Sequence, residues 1–62
     1  MTEYVHRRVP ERTALIVAEF LHPVTDAPMV TWYQVSTLRG EDADFYSSSK
    51  KEFRSWFRIL RD

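Results

Sequence analysis

Two histidines, His6 and His22, are the first side chains in this sequence to examine for chemistry. A zinc-binding or catalytic histidine needs partners at short range, and thiolates or a His-x-x-x-His spacing would announce them. The chain has no cysteine and no such spacing, so a metal at either histidine would have to take Asp or Glu ligands from separate loops. The structural reading is simpler: His22 ends a strand and hydrogen-bonds the hairpin loop after it, and His6 pairs across a sheet edge. Ser47, Ser48 and Ser49 come next, since a serine becomes a nucleophile when a base and an orienting group stand within hydrogen-bond reach. Serines just before a helix are first of all caps and turn residues. Glu41, Asp42 and Asp44 cluster beside the only glycine, Gly40, but lack the regular ligand spacing and terminal glutamate of a calcium loop, and read as a solvated turn. With no glycine-rich phosphate loop either, these residues point away from an enzyme and imply no cofactor or metal.

What remains is the chemistry of binding. Lys50, Lys51, Arg54 and Arg58 crowd the C-terminal segment, and Arg7 and Arg8 lie near the start. Tyr33, Tyr46 and Trp56 are large rings that a small core does not obviously require. Trp, Tyr and Arg dominate the energetics of protein contacts, so the first reading is an interaction module that binds a larger protein partner. One concrete form is a phage-encoded inhibitor that occludes a surface of a host protein. The second reading is a nucleic-acid-binding barrel, with the cations tracking phosphates and a ring stacking on bases. Its simplest rival is that cations on the outer face of an amphipathic helix are only solvated.

The elements that position these residues follow from periodicity. Thr13 to His22 is a nearly continuous apolar run with β-branched and aromatic members, and reads as a strand. Met29 to Leu38 reads as a second, with Val30, Trp32 and Gln34 on one face and Thr31, Tyr33 and Val35 on the other. Between them, two prolines and Thr25-Asp26 predict a hairpin loop. Gly40 sits in a charged turn, Phe45 to Ser47 reads as a short strand, and Tyr4 to Arg7 as an extra edge strand. Hairpin after hairpin implies an antiparallel meander.

In the C-terminal segment Phe53, Trp56, Phe57 and Leu60 recur at i, i+3, i+4 and i+7, one face of a helix. Ser49 and Glu52 stand in the relation of a capping box, which predicts a helix beginning at Lys50. Lys50 and Lys51 then lie at the helix start, where cations oppose the macrodipole. Whether residues 57–61 continue the helix or form a closing strand is open.

Length and charge bound the rest. A chain of 62 residues makes one domain, and 15% aromatics supply the bulk that so small a core needs. Net charge is zero but segregated: residues 50–62 hold five cations and two anions, and residues 13–49 hold Arg39 against five anions. That pattern can orient a partner, whereas a neutral total argues against strong non-specific attraction to nucleic acid. No segment has the length of a membrane span or the apolar run of a signal peptide, and the lack of cysteine fits a reducing compartment, so the chain is read as cytoplasmic. Unpaired strand edges allow a monomer or a weak homodimer.

The run His22-x-x-Thr25-x-x-Pro28-Met29-Val30, with Tyr4-x-His6 before it and Glu52-Phe53-x-x-x-Phe57 after it, resembles a small SH3-like domain of unknown function found in bacterial and phage proteins. The resemblance implies a curled antiparallel sheet plugged by one helical turn and closed by the last residues; it carries no activity. Arg8-Val9-Pro10-Glu11-Arg12 departs from the glycine-containing first turn of that pattern. The expected fold is thus mainly β: a small barrel or curled sheet of four or five strands with a short helix near the C-terminus. The alternative is α+β, a three-stranded sheet carrying one longer C-terminal helix. The expected core is Leu15, Val17, Phe20, Val30, Trp32, Val35, Phe53, Phe57 and Leu60.

Overall fold

A computed structural model describes residues 2–62. Five strands form one antiparallel sheet: β1 (Glu3–His6), β2 (Arg12–Leu21), β3 (Pro28–Ser36), β4 (Asp44–Ser49) and β5 (Phe57–Arg61), with helix α1 (Lys50–Trp56) between the last two. The strand order is β4-β3-β2-β1-β5, so the fold is mainly β and the sheet is unclosed. Tyr4 to Arg7 was expected at an edge, but β1 lies between β2 and β5. The three-stranded alternative does not describe the chain, because residues 57–61 leave the helix and pair with β1. No helix among the described residues is long and apolar enough to cross a membrane.

Local chemistry sets each boundary. His6 and His22 do the same work at the ends of β1 and β2. His6 Nδ1 accepts from the backbone N–H of Arg8 and of Val9, both at 3.1 Å. His22 Nδ1 accepts from Val24 N–H at 3.1 Å and Thr25 N–H at 3.3 Å. An imidazole nitrogen thus turns the chain where the first turn has no glycine. Asp26 (φ 58°) and Gly40 (φ 87°) supply the left-handed residues of the other two turns. Ser49 Oγ accepts from Glu52 N–H at 3.1 Å, the expected cap; the Glu52 carboxylate accepts from the Ser49 hydroxyl at 3.0 Å rather than from its backbone N–H.

The helix stops after two turns because the chain at Phe57 is extended (φ −124°, ψ 149°). Arg7 holds that end: its backbone N–H donates to Trp56 O at 2.7 Å and its Nε to Arg54 O at 3.0 Å. Both carbonyls belong to the last turn, which has no helical partners of its own.

The core is narrower than expected. Ala14, Val30, Trp32, Phe53 and Phe57 form it, with Tyr4 and Ile16 packed against it. Val17, Phe20, Val35 and Leu60 were expected inside and are exposed, and Leu15 is half-buried. On β2 the residues facing Gln34 and Trp32 are Ala14 and Ile16, so Leu15 takes the opposite face beside Tyr33. A register shift between Ile16 and Ala18 leaves Val17 without a partner, and a bulge of this kind releases a side chain from the alternation. Leu60 lies in β5, beyond the helix whose periodicity had grouped it with Phe53.

Candidate functional site

Trp32 is the centre of the aromatic system. It lies at ring-centroid distances of 5.0 Å from Phe53 and 5.8 Å from Phe57 inside the core. On its other sides are Tyr46, stacked at 5.9 Å, and Trp56, tilted at 6.1 Å. Trp32 is buried, whereas Tyr46 and Trp56 are 44% and 40% exposed. Tyr46 is placed by β4, where it faces Trp32 across the ladder, and Trp56 by the last turn of α1. Two half-exposed rings are therefore fixed against one buried ring. The Trp32 indole Nε1 is buried and has no hydrogen-bond partner among the described residues.

The ring surface is electrostatically polarised. Tyr46 borders a depression of about 410 Å³ with Glu41, Asp42 and Arg12. Trp56 borders one of about 370 Å³ with His6, Arg7 and Arg8. Arg12 grips Glu41, and that hydrogen bond, with a second from Ser36, holds the Glu41 carboxyl down to about 2. Desolvation, with Arg12 and Arg8 nearby, lowers the pKa of His6.

Compared with known proteins, the chain matches no family model, no curated protein and no solved structure.

Tyr33, expected beside Tyr46 and Trp56, is not with them. It lies on the other face of β3 from Trp32 and contacts Phe45, its ladder partner, at 4.8 Å. Phe45, 60% exposed, extends that outer face; it was missed because Phe45 and Tyr46 are adjacent and only the register assigns them to opposite sides.

The cations are partly committed. Lys50 Nζ donates to Glu19 Oε1 at 2.7 Å, which accounts for a lysine at a helix start where the macrodipole disfavours it. Arg7, Lys50, Arg54 and Arg58 converge on a groove of about 400 Å³ floored by Phe53 and Phe57. Lys51 lies outside it, lining a neighbouring depression with Lys50, Arg54 and Pro28. Among the described residues no three His, Cys, Asp or Glu side chains gather where a metal ion would fit. Both histidines spend Nδ1 on backbone amides.

Proposed function

We propose that the protein is a non-enzymatic interaction module, acting in the cytoplasm, that binds a larger protein partner through the surface made by Tyr46 and Trp56. The observation that carries this reading is that both rings, though half-exposed, are held against the buried Trp32. A ring already fixed loses little freedom when it is covered, and Trp and Tyr are the side chains around which binding energy concentrates. The depression beside Tyr46, where Asp42 is the charge left over from the Arg12–Glu41 pair, and the basic one beside Trp56 favour one orientation of a partner. Covering this surface would let so small a protein act by occlusion, as an inhibitor of a larger protein does.

Nucleic acid is the second reading, and the placement of the rings weighs against it. Stacking on bases and contact with phosphates must lie along one track. Trp56 shares a basic depression with Arg7 and Arg8, but neither it nor Tyr46 lines the groove where Lys50, Arg54 and Arg58 gather, and the phenylalanines that do, Phe53 and Phe57, are buried.

Affinity capture from a lysate, with and without nuclease, tests the choice. The wild type should retain one stoichiometric protein after nuclease treatment, and a Tyr46→Ser/Trp56→Ser variant should lose it. Retention that disappears on nuclease treatment would reverse the ranking.

A further inference from the structure

The sheet ends at β5, so one backbone edge of Phe57–Arg61 faces β1 and the other faces no strand among the described residues. An open edge is a template for another extended chain, and charged side chains decide which chain it accepts. Arg58 and Arg61 are exposed on β5, Arg61 within 3.5 Å of the Glu3 carboxylate on β1, and two copies of this strand side by side would bring the Arg58 charges together. A segment bearing carboxylates meets the opposite condition.

The edge is also continuous with the cationic groove. Arg58 and Ile59 belong to both, and Arg54 and Arg7 complete the cationic side, against one carboxylate, Glu19, which Lys50 already holds at 2.7 Å. With Phe53 and Phe57 beneath it, the groove of about 400 Å³ has room for one aliphatic or aromatic side chain.

We propose that the β5 edge and this groove form a second binding site, which takes an extended acidic segment of a protein partner by strand addition. Backbone hydrogen bonds to β5 would supply the common affinity, as in other strand-addition complexes, and side chains the selectivity. Successive residues of an added strand alternate between faces. An alternating acidic and apolar segment therefore sets carboxylates beside Arg58 and apolar side chains toward the groove beside Ile59. The site is distinct from the ring surface: neither Tyr46 nor Trp56 lines it, although Arg7 borders both.

The test is an NMR titration of the isotopically labelled full chain with a short synthetic peptide alternating aspartate with leucine. The expected result is shifted and exchange-protected amides in β5, with affinity lowered about tenfold or more by Arg54→Glu/Arg58→Glu. Both arginines are exposed, so that variant should fold, and wild-type amide mapping stands without it. The Tyr46→Ser/Trp56→Ser variant should bind the peptide unchanged, which separates this site from the one under Proposed function. No binding at millimolar peptide, or shifts confined to the Tyr46 and Trp56 surface, would overturn the proposal. So would displacement of the peptide by oligothymidylate, which would assign the groove to nucleic acid. Concentration-dependent pairing of β5 with β4 of a second copy in the free protein would give the edge a different occupant and equally overturn it.

Discussion

Arg12 holds Glu41 through two parallel hydrogen bonds, Nε to Oε1 at 3.0 Å and Nη2 to Oε2 at 2.6 Å, joining the start of β2 to the charged turn before β4. A forked guanidinium–carboxylate pair fixes geometry as well as charge. It anchors the turn leading into the strand that carries Tyr46.

This pair predicts a pH dependence. The Glu41 carboxyl is lowered from 4.5 to about 2 in the folded chain. A depressed acid contributes stability that is fully present above its unfolded pKa and is lost as pH falls through the folded one. The wild type should therefore lose more thermal stability than Glu41→Gln between about pH 4.5 and 2, measured by circular dichroism melting. Parallel losses in the two proteins would show that the pair contributes nothing in that window.

His6 has the corresponding behaviour at higher pH. Its Nδ1 lone pair accepts two backbone N–H groups, and its ring packs edge-on against Phe57 at 5.1 Å. Burial first, then Arg12 and Arg8, lowers its pKa from 6.5. Its contribution to stability is present above 6.5 and is lost as pH falls through the lowered value. An NMR titration should place the His6 midpoint below 6.5, and a midpoint at or above it would contradict this environment.

Phe53 and Leu60 should differ sharply on truncation. Phe53 is buried against Tyr4 and Trp32, each at 5.0 Å, and Phe57 at 4.8 Å, so Phe53→Ala should cost about 3–5 kcal/mol. Leu60 is 40% exposed on β5, and Leu60→Ala should cost about 1 kcal/mol or less. Urea denaturation of the two variants checks the contrast. Similar losses would mean that the helical periodicity through residue 60, not the strand, describes the segment.

The cap at Ser49 gives a smaller effect. Ser49→Ala removes the acceptor for Glu52 N–H and should cost about 1 kcal/mol by the same denaturation measurement. Unchanged stability would place the helix start under the control of packing at Phe53 instead.

These contrasts also mark what was legible in the sequence. Strand positions, turns and the cap follow from local chemistry, and Val30, Trp32, Phe53 and Phe57 were expected in the core and are buried. Side-chain size misled where register decides: Ala14 is buried while Val17, displaced by the irregularity in β2, is exposed. The end of α1 was hidden because Arg7, distant in sequence, supplies the groups that hold it. The ring surface was half legible. Tyr46 and Trp56 meet at Trp32, but the separation of Tyr33 from them depends on the β3–β4 pairing, which composition does not encode.

As proposed, the protein contacts its partner at Tyr46 and Trp56. Replacing residue 46, 56 or 33 in turn with a photoreactive phenylalanine derivative and irradiating the protein in nuclease-treated lysate tests it most directly. One cross-linked protein species is expected from positions 46 and 56 and none from position 33, on the face of β3 opposite Trp32. Cross-linking from position 33 alone, or none from positions 46 and 56, would contradict it.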